Sequence, residues 1–224
     1  MAVTVTHSKV SGIADSGDAS LVQPSDWNAD HVVIGTIGLP FRYPIQDGRY
    51  YSAQTTSVTG TFLLDDFAGQ ITAAPFQVNE EKTWTEISIE VTTGGAGDVC
   101  RVGIYSDSGG TPDALIVDSG EIDCSTTGTK AVTISETLAV GNYWLAILPS
   151  TSAATAEIVG TGAGNLACQH IGAIMFGLTN MTGSTSSPVA VKKFPQTYGA
   201  LPNPFGTPTG HEQEAPFIGL RTGV

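Results

Sequence analysis

Positive charge is what this sequence has least of. Lys and Arg together number 9 against 21 Asp and Glu in 224 residues, a net charge of −12. Nucleic acid and anionic membrane surfaces are held through clustered Lys and Arg, so a chain with a pI near 4.4 has no electrostatic footprint for either. Cysteine is scarce as well. Cys100, Cys124 and Cys168 match no zinc or Cys-x-x-Cys spacing. A Cys100–Cys124 disulfide is one possibility, but an odd count favours buried free thiols. Long apolar runs are missing too. The longest uncharged stretch, Ile158 to Val191, is broken throughout by Gly, Ser, Thr and Asn. Its apolar centre, Ile171 to Leu178, is far short of the roughly 20 residues that span a bilayer. The opening residues carry neither the basic nor the apolar segment of a secretion signal, and a soluble protein is expected.

What the chain does hold is threonine, 28 residues of it, with 27 Gly and 12 Pro. Thr and Val in quantity, with few Lys and Glu, suit pleated half-buried strands better than helices. Thr85 to Val91 alternates with period 2 and places Ile87, Ile89 and Val91 on one face. Val99 to Tyr105 reads as the next strand, followed by Leu115–Val117, Gly120–Ile122 and Lys130–Ile134. Asn142 to Leu148 is the most apolar strand, expected at a sheet centre. Gly-, Asp- and Ser-rich turns separate these segments. Short strands at this spacing predict an all-β protein, an antiparallel sandwich of jelly-roll type. Composition divides it into an N-terminal arm over 1–50, the sandwich over 51–193 and an extended C-terminal arm over 194–224. Pro195, Pro202, Pro204, Pro208 and Pro216 exclude a helix or a central strand in that last part, which is expected to wrap a neighbouring subunit.

No catalytic constellation emerges. His7, His31, His170 and His211 are far apart and form no metal-binding spacing. Asp65-Asp66 and Glu80-Glu81 are adjacent pairs whose members point to opposite faces of a strand, and they read as solvated turn charges. Asp107 to Asp113, with Asp98, Asp118 and Asp123, offers oxygens for calcium, but acidic turn chemistry explains it more simply. Trp144 reads as a core residue, whereas Trp84 fits either the core or an exposed sugar-stacking site. No cofactor or metal is implied, and the protein is expected not to be an enzyme.

One segment differs in kind. Ala19 to Gly35 packs Pro24, Asp26, Trp27, Asn28, Asp30 and His31 into eight positions between two short apolar runs. A large amphipathic anchor among polar partners is the composition of a binding hot spot, and this segment lies outside the strand-dense region. A hairpin corner is the plainer alternative. Docking through Pro24, Asp26, Trp27, Asn28 and His31 is the favoured one.

Lys9 to Asp15 followed by Asp18 to His31 resembles the N-terminal segment of tailed-bacteriophage virion proteins of the tail-fibre and minor-tail kind. There a Pro-x-Asp-Trp-Asn-x-x-His pattern precedes the variable part, and this chain keeps that pattern without departure. Val102 to Asp107 with Gly110-Thr111-Pro112, then Thr137-Leu138 and Gly141 to Ala146, is similar to jelly-roll modules of phage fibres and cell-surface proteins. The resemblance implies a structural protein on the virion surface, bound to other virion proteins (tail, baseplate or major capsid protein) through its N-terminal segment. It also implies a homotrimer and an outward-facing sandwich that meets a host surface glycan, while charge and the short apolar runs already predict no nucleic acid and no membrane insertion. A short tail fibre or baseplate-type adhesin is the first expectation. A capsid decoration protein or head fibre, with both arms clamping capsomers, is the alternative, and a glycan-active enzyme is a distant one.

Overall fold

The computed structural model describes residues 3–5, 31–33, 44–53, 60–150, 155–161, 191–212 and 215–223, within two compact units, Met1–Tyr43 and Pro44–Val224. In the first unit β1 (Val3–Val5) pairs antiparallel with β2 (His31–Val33), Val3 opposite Val33 and Val5 opposite His31. Valines on both sides favour this pairing. β2 begins at His31, the last residue of the docking motif.

The second unit is built of strands. In chain order they are β3 (Tyr50–Tyr51), β4 (Gly60–Leu63), β5 (Gln70–Val78), β6 (Lys82–Thr93), β7 (Val99–Asp107), β8 (Pro112–Asp118), β9 (Ile122–Asp123), β10 (Gly128–Leu138), β11 (Gly141–Pro149), β12 (Glu157–Thr161), β13 (Val191–Pro195), β14 (Gly210–Glu212), β15 (Ala215–Pro216) and β16 (Gly219–Arg221), with a 3-10 turn at Leu64–Phe67. One sheet runs β15–β12–β6–β16–β3, with β10 along the opposite side of β6 and β4 beside β12. The other runs β14–β13–β5–β11–β7–β8, with β9 beside the start of β7. The pairings are antiparallel, and the two sheets pack face to face as an all-β sandwich.

Period-2 patterning explains the layers. Ile87, Ile89 and Val91 of β6 face inward and meet Val102, Ile104, Leu145 and Ile147 of the second sheet in one continuous core. As its apolar sequence predicts, β11 is central, between β5 and β7. It is apolar on both sides because both sides are covered: Leu145 and Ile147 join the main core, while Trp144, Ala146 and Leu148 join a second cluster on the outer face of the sheet. Such doubly buried strands lose their alternation and read as continuous apolar runs.

The cover over that outer face is the C-terminal stretch, and here the structure corrects the expectation of an extended arm. Leu201 and Phe205 are buried against Ile71, Tyr105 and Trp144. The backbone of Phe205 donates to Asp113 O at 2.8 Å, and Tyr105 Oη donates to Pro202 O at 2.8 Å. Beyond the strap, β14 extends the second sheet, and β15 and β16 enter the first. The prolines are accommodated because these strands are two or three residues long and the segment between them needs no ladder. The boundary at residue 50 moves as well. Residues 44–50 belong to the sandwich, where Gly48 N donates to Thr222 O at 2.8 Å and Ile45 N to Glu80 Oε1 at 2.9 Å.

Candidate functional site

The docking motif is only touched by the described residues. His31 stands on β2 opposite Val5. Pro24, Asp26, Trp27 and Asn28 lie outside the described residues, as do His7, Cys168 and His170.

Both weighed tryptophans are buried. Trp84 lies between Phe76 and Tyr51, each edge-on at 5.8 and 5.9 Å between ring centroids. Trp144 donates its indole N–H to Asp107 Oδ1 at 2.8 Å beneath the C-terminal strap. Neither is available to stack a sugar. The acidic residues considered for calcium are dispersed and engaged. Asp98 Oδ2 accepts from Thr155 N and Ala156 N at 2.7 and 2.8 Å. Asp118 Oδ2 takes Arg101 Nη1 at 2.9 Å and Leu201 N at 3.0 Å, and Asp123 Oδ1 takes Ser125 N at 2.8 Å. Asp107 Oδ2 accepts from Gly110 N at 3.2 Å. Among the described residues no group of His, Cys, Asp and Glu could hold a metal ion. Cys100 and Cys124 are buried free thiols with sulfurs 3.6 Å apart.

With the second sheet strapped over, the outer face of the first sheet is the open side of the sandwich among the described residues. A row of three residues crosses it in register: Tyr50 of β3 opposite Arg221 of β16, and Arg221 opposite Glu86 of β6. The Arg221 guanidinium stands 5.4 Å from the centre of the Tyr50 ring, and its Nη1 is 3.7 Å from Glu86 Oε2. Tyr50 Oη donates to Glu86 Oε1. That bond to a carboxylate raises the Tyr50 phenol above its ordinary value, with desolvation adding to it. The ring can lie this flat because Gly219 is beneath it, where a Cβ would come within 3.0 Å of Tyr50 Cδ1 and 3.1 Å of Ser88 Oγ.

The same face continues over β10, where Ala131 is opposite Ser88 and Thr129 opposite Glu90, the Thr129 hydroxyl donating to Glu90 Oε2 at 2.6 Å. Tyr50 is the aromatic exposed among the described residues, at 41%. One accessible ring beside planar polar groups and hydroxyls can stack against and hydrogen-bond a flat polar ligand. Glu86 and Glu90 are about 13 Å apart along β6. That separation is wider than the carboxylate spacings used in glycoside hydrolysis.

Compared with protein families, curated proteins and solved structures, the chain has no match. No helix among the described residues is long and apolar enough to cross a membrane.

Proposed function

We propose that this chain is a structural protein of a bacteriophage particle. The segment holding Pro24, Asp26, Trp27, Asn28 and His31 attaches it to other virion proteins. The sandwich is displayed outward as a short tail-fibre or baseplate-type adhesin, and the Tyr50–Arg221–Glu86 face meets a host surface glycan.

The observation that supports this most is the division of the chain. The motif falls wholly within Met1–Tyr43, while the sandwich closes on its own ends. Thr222 hydrogen-bonds both Gly48 N through its carbonyl and Asp47 Oδ1 through its hydroxyl, the latter at 2.8 Å. A body that ties its first and last strands together leaves the preceding unit for another task. The packing of Leu201 and Phe205 on the second sheet and the pairing of β14, β15 and β16 within the two sheets also weigh against a decoration protein that clamps capsomers with both arms.

The test is incorporation of Trp27→Ala into particles, measured as protein content after purification. The expected outcome is a folded sandwich missing from the particles. Incorporation at the unsubstituted level overturns the docking role. Particle imaging separates the two locations, since copies at every capsomer centre or junction would replace the tail reading with decoration.

A further inference from the structure

Among the described residues the longest uncovered edge of the sandwich belongs to β10. This strand of eleven residues hydrogen-bonds β6 along one side, and nothing among the described residues pairs with the other. Uncovered edges are templates for further strands, and proteins ordinarily blunt them with charge, proline or brevity. β10 has no proline, is long, and carries two charges, Lys130 and Glu136. Those two are placed symmetrically about Thr133.

We propose that two copies of this chain pair along β10, antiparallel, about a two-fold axis through Thr133. Three observations converge on that register. First, it sets Lys130 of each copy opposite the partner's Glu136, so both charges on the strand are matched twice. Second, it keeps each side chain on its proper face. Exposed Thr129, Ala131, Thr133, Ser135 and Thr137 alternate with half-buried Lys130, Val132, Ile134 and Glu136. Residues directly opposite in an antiparallel pair share a face. Thr129 then meets the partner's Thr137, and Val132 meets the partner's Ile134. The slip of β10 against β6 between Thr133 and Glu136 leaves this alternation unbroken.

Third, there is room. An open groove of about 360 Å³ runs beside the edge, between Glu121–Asp123 and Thr129–Val132. It lies next to Val132 and Lys130, where the register delivers the partner's Ile134 and Glu136. Glu121 and Asp123 make the groove acidic, so Lys130 is the group that admits an incoming carboxylate. Moving the pairing by one residue to either side of Thr133 removes the charge match. An isologous contact of this kind is self-complementary, as a two-fold axis requires. The inference stands apart from the virion reading, and it replaces the three-fold association implied by the resemblance with a two-fold one.

The experiment is sedimentation of the full chain at physiological salt, with Lys130→Glu and Glu136→Lys examined separately, mixed and combined. The unsubstituted chain is expected to reach twice its 23.1 kDa mass. Each single variant sets two like-charge pairs across the axis and is expected to weaken association about tenfold or more. Mixing the two single variants restores pairing, because one strand then carries two Glu and the other two Lys. The K130E/E136K double variant restores it as well. Retained melting temperatures of the single variants, and the rescue on mixing, separate a lost contact from a lost fold. A monomer at all concentrations, a trimer, or a dimer unmoved by either single variant overturns the proposal.

Discussion

The ring of Phe205 meets that of Tyr105 edge to face, with centroids 5.1 Å apart and planes at 88°. One residue belongs to the proline-rich stretch and the other to β7, so this contact is where the C-terminal strap is fixed to the second sheet. Phe205 is fully buried. Phe205→Ala is expected to destabilise the sandwich by about 3 kcal/mol. For a chain of this size the melting temperature should fall by roughly 6–12 °C. Truncation after Phe194 removes β14, β15 and β16 along with the strap, and is expected to abolish cooperative unfolding by calorimetry.

Gly103 makes the strap possible from below. A Cβ there would come within 2.4 Å of both Leu201 Cδ1 and Val117 O. The leucine can turn, but the carbonyl is held in the β7–β8 ladder. Gly103→Ala is therefore expected to cost about 1–3 kcal/mol in a denaturant titration. Gly199→Ala is the control, since nothing lies within 4 Å of its added carbon. It should change stability by less than about 0.5 kcal/mol.

The limits of the sequence are visible in single residues. Ile87, Ile89 and Val91 announce their shared face through plain alternation, and the central place of β11 follows from its apolar run. Trp84 could not be placed that way. It is three residues from Ile87, which period 2 would put on the opposite face, yet both are in the core. The slip between β6 and β10 near Trp84 marks where regular alternation fails. The strap hid its burial because Leu201 and Phe205 are separated by Pro202 and Pro204, so no period links them. Glu86, Ser88 and Glu90 were legible as a polar face. The meeting of Glu86 with Tyr50 and Arg221 was not, because it depends on the order β3–β16–β6, which joins opposite ends of the sandwich unit.

That order makes a titration prediction. Tyr50 donates to Glu86, so losing the phenolic proton costs the bond and sets two negative charges together. The folded phenol accordingly titrates above its ordinary value. A raised value means that this contact stabilises the fold fully below the unfolded phenol value of about 10 and is lost as pH rises through the higher folded one. Carbon-13 shifts of the Tyr50 ring should show the elevated midpoint. Glu86→Gln should bring it down, since the amide keeps an acceptor but loses the charge. An unchanged midpoint would mean that the carboxylate is not the cause.

The two core thiols give the last prediction. Cys100 on β7 and Cys124 just past β9 are both fully buried, and each is in the main core beside Ile122. The hydrogen bond to Cys124, together with burial, holds the Cys100 thiol well above the ordinary range, so it carries almost no thiolate near neutral pH. Alkylation proceeds through the thiolate and needs access, and Cys100 offers neither. Burial denies the reagent Cys124 as well, so in the folded protein both cysteines should resist iodoacetamide, while without any reductant both should be labelled as soon as denaturant opens the sandwich. Peptide mass spectrometry reads each position separately. Labelling of Cys100 in the native state would mean that the β7–β9 edge opens on the time scale of the reaction. Failure to label either cysteine after unfolding would mean that the pair is oxidised.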